Sequence, residues 1–127
     1  MSMTTESFWD ATITASTLNA ALRRKADHLI GYVIEFDICG PRYVFEFHRG
    51  AIRRLDRVPL SGAKSRLSGP SEEWLRVTRG DIPFIRAVNG LHGRLLFEGS
   101  AIGNTWASPA LGEFFAVAAA ANKGQGQ

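Results

Sequence analysis

Cysteine is almost absent: Cys39 is the only one in 127 residues, so no disulfide can form within the chain. Such a chain suits a reducing compartment and must be held by its core. No run approaches the roughly 20 apolar residues that a bilayer-spanning helix needs. The opening MSMTTESFWDATITAS has two acids, no base and no apolar stretch, which does not read as a secretory leader. The closing GQGQ is neither a peroxisomal SKL-type signal nor a prenylation box. These absences make the cytoplasm the expected compartment. Also missing are G-x-S-x-G, Walker A, G-x-G-x-x-G, H-E-x-x-H and C-x-x-C, so no motif calls for a catalytic residue, a metal or a cofactor, and none is expected. No repeat or linker divides the chain.

A composition 45% hydrophobic with 13 glycines argues for one packed domain over residues 1–127 and against a disordered chain. A domain of this size buries roughly two-thirds of the surface its unfolded chain exposes, enough to fold without metal or disulfide. Net charge is +3 and the isoelectric point about 9.5. Between Arg42 and Arg94 stand eleven basic and five acidic residues, a local balance of +6. Two readings stand: a solvated mixed-charge surface, or a face for anionic lipid or an acidic partner. The bases are not interleaved with exposed aromatics, so no nucleic acid is expected as partner.

Hydrophobic period sets the elements. Residues 12–30 read as a helix, with Leu18, Leu22, Ala26 and Leu29 in a stripe and Gly31 as its cap. Residues 32–39 alternate strictly: Tyr32, Ile34, Phe36 and Ile38 share one face, and Val33, Glu35, Asp37 and Cys39 the other. After Gly40 and Pro41 the alternation resumes with Tyr43, Phe45 and Phe47. A type I turn over residues 40–43 pairs Phe36 with Phe47, Ile38 with Phe45 and Glu35 with His48; a tighter turn would set Glu35 against Glu46, a like-charge pair. The stretches RGAIRRLDRVP and AKSRLSG read as two short polar edge strands. Pro70, Ser71, Glu72 and Glu73 open a helix carrying Trp74, Leu75 and Val77 inward and ending at Gly80. Asp81 caps a second, 82–89, lined by Ile82, Ile85 and Val88 and ended by Gly90. A strand, RLLFE, follows, and Ser108-Pro109 begins a last helix bearing Leu111, Phe114, Phe115 and Ala118. The residues before 7 and after 121 are expected to be flexible. The class is α+β, helices laid on one face of a mainly antiparallel sheet.

Three segments then carry a family likeness. Ser71-Glu72-Glu73-Trp74-Leu75, Gly80-Asp81-Ile82-Pro83-Phe84, and Asn89 through Gly93-Arg94-Leu95 to Gly99-Ser100 resemble the sterol carrier protein family, in which a glycine-ended helix, a G-x-x-x-P helix and a G-K-L-x-x-x-G strand follow one another. The likeness covers about residues 31–115. Leu91 and His92 look inserted, and Ser100 stands where the family has an acid or amide. What the resemblance implies is a five-stranded sheet whose helices enclose an apolar tunnel for sterols, fatty acids or other lipids, in domains that occur alone or fused to enzymes of lipophilic substrates.

Phe36, Phe45, Phe47, Trp74, Phe84, Ile85, Phe97, Phe114 and Phe115 should converge between sheet and helices. They line a ligand pocket or they simply fill the core. Glu35, Asp37, Glu46 and His48 read as an acid/base or metal cluster, or as the wet face of an antiparallel sheet, and the second is preferred. Cys39 has no local group to activate its thiol beside His28, His48 or His92. The expected function is non-enzymatic binding and transport of a hydrophobic small molecule. The alternatives are an accessory module that presents a lipophilic substrate to a partner enzyme and, behind it, an enzyme acting on a hydrophobic substrate.

Overall fold

The computed structural model describes residues 6–89 and 91–125. Of the ends expected to be flexible, residues 1–5 and 126–127 lie outside the described residues, as does the expected helix end at Gly90, whereas Glu6 opens one helix and residues 122–125 continue another. The element order is α1 (Glu6–Ser16), α2 (Ala20–Ala26), β1 (Tyr32–Asp37), β2 (Arg42–His48), β3 (Ala51–Leu55), β4 (Ser65–Ser68), α3 (Ser71–Arg79), α4 (Phe84–Asn89), β5 (Leu96–Gly99) and α5 (Ala101–Gln125). The five strands form one sheet in the order β3-β2-β1-β4-β5, and α5 packs against α1, α2, α3 and α4. The expected α+β class and the five-stranded, mainly antiparallel sheet are what the structure shows, with one parallel pairing, β1 with β4.

The single helix expected over 12–30 is two. Asn19 stops the first and starts the second: its Oδ1 accepts from the Leu22 backbone N–H at 2.9 Å, the geometry of an N-cap. Leu18 falls in the intervening turn and is exposed, whereas Leu22, Ala26 and Leu29 are buried as their stripe requires. The first helix begins earlier than expected, at Glu6, and so brings Phe8 and Trp9 into the core. Its buried Thr12 and Ser16 hydroxyls donate back to the Phe8 and Thr12 carbonyls at 3.0 and 2.7 Å, so neither is left unpaired.

The hairpin keeps its faces and changes its register. Ile34 opposes Phe45, Phe36 opposes Tyr43, and Glu35 opposes Val44, neither His48 nor Glu46. Asp37 and Arg42, an opposite-charge pair, close the strands, and residues 38–41 make the loop. Asp37 Oδ1 accepts from the Gly40 N–H at 3.3 Å, and Cys39 and Gly40 both take positive φ, 52° and 121°. The Asp37 side chain thus turns the chain two residues sooner than a proline-led turn would. Every even shift of register preserves which side chains face inward, so Ile34, Phe36, Ile38, Phe45 and Phe47 are all buried as expected.

Two further expectations are corrected. β4 is not an edge strand: it lies between β1 and β5, with Leu67 buried opposite both Phe36 and Phe97. Only β3 of that pair forms an edge. α5 does not begin at Pro109 but eight residues before it. Ser100 Oγ accepts from the Gly103 N–H at 3.0 Å to start the helix, and the proline sits inside on an exposed position. α3 ends at Gly80 as expected, in the left-handed conformation (φ 80°), which glycine adopts without strain.

Candidate ligand-binding site

The sheet's inward face is aromatic, and the helices answer with aromatics. Phe36 on β1 lies 4.7 Å from Phe45 on β2, 5.3 Å from Trp74 on α3 and 5.5 Å from Phe115 on α5, ring centre to ring centre. Phe114 sits 5.8 Å from Phe47, and Phe84 of α4 stacks on Phe115 at 5.3 Å. Seven of the nine expected residues (Phe36, Phe45, Phe47, Trp74, Phe84, Phe114 and Phe115) are therefore buried in one cluster. Phe97 is half-buried and reaches it through Phe84 at 5.7 Å. Ile85 does not join them. It is 50% exposed, because the buried side of α4 is set by Phe84 and Ala87, which leaves Ile85 on the opposite arc.

Free space lies beside this cluster. One groove, about 360 Å³, runs between α3–α4 and α5 and is lined by Val77, Gly80, Ile82, Pro83, Phe84, Gly112, Phe115, Ala116, Ala119 and Ala120. No charged side chain lines it, and its floor is the Phe84–Phe115 stack. The Trp74 indole ring lies 6.1 Å from Phe115, and its buried Nε1–H has no acceptor among the described residues. A buried donor without a partner is costly, and the Trp9 Nε1–H is in the same state. A second groove, about 490 Å³, opens between the α2–β1 loop and the first turns of α5, with Tyr32, Lys64, Ile102 and Trp106 among its walls.

Tyr32 is tied into a polar chain at this second groove. The Ser65 hydroxyl donates to Asn104 Oδ1 at 2.7 Å, so its one proton is taken and the Tyr32 hydroxyl must donate to Ser65. Asn104 Nδ2 then donates to the Phe97 carbonyl at 3.2 Å. Burial pushes the Tyr32 phenol up to about 12 against an ordinary 10.0, with the bond to Ser65 opposing. Because the folded state holds the neutral phenol, this contribution is intact below pH 10 and is lost as pH rises toward 12. Two pH units correspond to about 2–3 kcal/mol. Urea denaturation across that range should show the loss, and Tyr32→Phe should flatten most of it. Tyr43, pushed up by burial and by Glu6, leaves a remnant in the same direction. A Tyr32→Phe curve with the wild-type slope would refute the assignment.

The outward sheet face is an ionic lattice. Glu46 holds Arg53 at 2.6 Å, and Arg66 reaches Asp37, Glu35 and Glu98. Burial pushes the Asp37 carboxyl up, but hydrogen bonds from Arg66 and Gly40 outweigh it and leave it below the usual range. His48 Nδ1 accepts from the Gly31 N–H at 3.1 Å, so this histidine pins the α2–β1 loop. Among the described residues no group of three or more His, Cys, Asp or Glu could hold a metal ion. Cys39 Sγ donates weakly to the Gly69 carbonyl at 3.7 Å.

Sequence reasoning misses three participants. Glu73 reads as a first-turn acid, yet it is fully buried, accepting from the Arg94 N–H at 2.9 Å and pairing with Arg76 at 2.8 Å. Trp9 sits at the centre of the cluster, 5.6 Å from Phe45 and 6.1 Å from Phe114. Tyr32 reads only as a strand residue. A signal for Trp9 does exist: Phe8, Trp9, Thr12 and Ser16 recur at helical spacing.

Comparison with solved structures places this arrangement. The crystal structure of sterol carrier protein 2 superposes with a TM-score of 0.74 at 18% identity, covering 93% of this chain and 98% of the other. The fold is that of sterol carrier protein 2. A conserved hypothetical protein from Thermus thermophilus has the same fold, with a TM-score of 0.71, 18% identity and coverage of 95% and 90%. The ubiquinone synthesis protein UbiJ-SCP2 aligns less closely, with a TM-score of 0.55, 16% identity and coverage of 90% and 87%. No family model and no curated protein matches the sequence. In the sterol-carrier-protein-2-like fold of this chain, the three motif segments are α3, the entry to α4, and β5 with the turn before it. No helix among the described residues is long and apolar enough to cross a membrane.

Proposed function

We propose that the protein binds and transfers a hydrophobic small molecule, a sterol, fatty acyl chain or related lipid, without catalysing a reaction on it, and does so in the cytoplasm. The observation that carries this reading is the groove between α3–α4 and α5, where every lining residue is apolar or glycine. Such lining removes apolar surface from water on binding and offers nothing to do chemistry with. Phe84 and Phe115 form its floor, and Phe36, Phe45, Phe47, Trp74, Phe97 and Phe114 back the layer that would adjust to a longer ligand. The likeness to a ubiquinone synthesis protein favours a second reading, in which the same groove presents a lipophilic substrate to a partner enzyme.

An environment-sensitive fluorescent fatty acid should bind saturably near one per chain, and native mass spectrometry should show a lipid co-purified from cells. Ala116→Phe fills the groove from its exposed rim without entering the core. It should weaken binding at least tenfold, or about 1.4 kcal/mol, and leave the melting temperature unchanged. Unaltered affinity in Ala116→Phe would move the site elsewhere, and no saturable binding of any acyl chain, sterol or terpenoid would end the carrier reading.

A further inference from the structure

Only part of the +6 balance between Arg42 and Arg94 is neutralised by local ion pairs. Arg42, Arg53, Arg54, Arg66, Arg76 and Arg94 are each within 4.0 Å of a carboxylate. Of the cations without such a carboxylate among the described residues, Arg57 follows β3, Arg79 ends α3 and Arg86 lies on α4, whereas Arg49 and Lys64 stand together with Arg23 and Arg24 of α2 at one end of the molecule. Lys64 lines the 490 Å³ groove itself. The Arg49 backbone N–H donates to Leu29, another of its walls, at 2.7 Å. Gly50, next in the chain, packs against the Arg23 backbone, and Arg24 follows on α2. None of Arg23, Arg24, Arg49 or Lys64 has an ion-pair partner among the described residues. Asp27 is the one acid in that stretch of α2 and the loop after it.

Inside this basic collar the surface is greasy. Ile30, Ile102 and Trp106 are 64%, 75% and 59% exposed, and all three line the groove. Ile102 and Trp106 are four apart on α5 and so share a face. His28 Nε2 donates to the Trp106 carbonyl at 2.9 Å, and its ring lies edge-on to the indole at 5.2 Å. That bond joins the α2–β1 loop, which carries Ile30, to α5, which carries Ile102 and Trp106. Tryptophan favours the water–lipid boundary, and cations around it favour anionic headgroups.

We infer that this end of the molecule docks on anionic membrane, with Ile30, Ile102 and Trp106 entering the headgroup layer, Arg23, Arg24, Arg49 and Lys64 on the lipid phosphates, and the groove opening toward the bilayer. The inference deepens the carrier reading by naming the surface on which cargo is exchanged, but vesicle binding is measured without cargo and so stands or falls separately from the ligand assay.

Trp9 and Trp74 are wholly buried, so Trp106 alone of the three reports on the surface. With vesicles of phosphatidylcholine and phosphatidylglycerol in equal parts, tryptophan emission should shift to the blue and be quenched by brominated acyl chains. Added salt should reverse both, since exposed charges are screened. Phosphatidylcholine alone should give no shift. Trp106→Phe should abolish the emission response, Ile102→Asp should weaken co-sedimentation at least tenfold, and Arg49→Gln and Lys64→Gln should weaken it about fivefold each. All four positions are exposed; should Ile102→Asp misfold by circular dichroism, the two glutamine variants decide. Equal binding to neutral vesicles overturns the basic collar. Concentration-dependent dimers in sedimentation velocity, lost in Ile102→Asp without any vesicle binding, would assign the patch to a second copy of the chain and overturn the inference.

Discussion

Gly93→Ala should be among the most damaging single substitutions in the protein, lowering stability by more than about 4 kcal/mol or preventing folding. The reason is steric. A Cβ at residue 93 would fall closer than 3.0 Å to the carbonyl oxygens of Arg86 and Ala87 and 2.7 Å from the Ala87 carbonyl carbon. These are backbone atoms of α4, with no side-chain rotamer to give way. Ala87 is also fixed from the other side, since its carbonyl accepts from the Leu95 N–H at 3.0 Å. One residue on, the Arg94 N–H is held by buried Glu73. Making room at residue 93 would therefore pull α4 from the β5 segment and α3 from both. Gly62→Ala is the control. Gly62 also has an unusual backbone, φ 88°, but a Cβ there meets nothing within 4 Å, so its cost should stay near the 1–3 kcal/mol of local strain, about the usual figure. Urea denaturation of both variants tests this. A Gly93→Ala protein within about 1 kcal/mol of wild type would mean that the turn relaxes freely and that the glycine there is incidental.

Much of this architecture is legible in the sequence because alternation and helical period are local signals. Phe36 and Phe47 face inward whatever the register, since the faces follow from each strand alone. Register depends on the turn, and the turn here is governed by Asp37 accepting from Gly40, a choice that competes closely with a proline-led turn. The place of β4 in the sheet is not legible either. SRLS is short and polar, and its interior position comes from a parallel pairing with β1 that no local pattern encodes. Ile85 escapes for a related reason: on a six-residue helix, a stripe of Ile82, Ile85 and Val88 competes with one of Phe84 and Ala87, and only packing in the folded chain decides. Glu73 shows the limit most clearly. Its carboxylate suits a first helical turn and gives no sign of burial. It is buried because Arg94, twenty-one residues later, presents a backbone N–H to it. The ligand site divides in the same way. The aromatic set can be read from sequence, but the groove cannot, because small residues at Gly112, Ala116, Ala119 and Ala120 create it by what they leave empty.

Whether the aromatics serve the core or the ligand is decided by comparing two of them. Phe47→Ala should cost about 3–5 kcal/mol, a large part of the roughly 5–15 kcal/mol that holds a domain of this kind together. Phe47 is fully buried, with Phe114 at 5.8 Å and Tyr32 at 6.3 Å, and lines none of the grooves described above. Its loss should leave fatty-acid affinity within about twofold, or about 0.4 kcal/mol. Phe84 is different: one face stacks on Phe115 while the side chain forms part of the groove wall. A side chain that already borders space has fewer contacts to lose, so Phe84→Ala should cost less stability, about 2–3 kcal/mol. It should weaken ligand binding about tenfold by removing the floor on which the ligand rests. Denaturation and ligand titration on the same two variants give four numbers, and the pattern matters more than any one of them. If Phe84→Ala lost core-type stability and bound ligand as wild type does, the stack would be packing only and the α3–α4/α5 groove an incidental surface feature. If Phe47→Ala lost affinity as well, the ligand would have to penetrate between sheet and helices, and the tunnel that the sequence resemblance implies would replace the groove as the seat of the cargo.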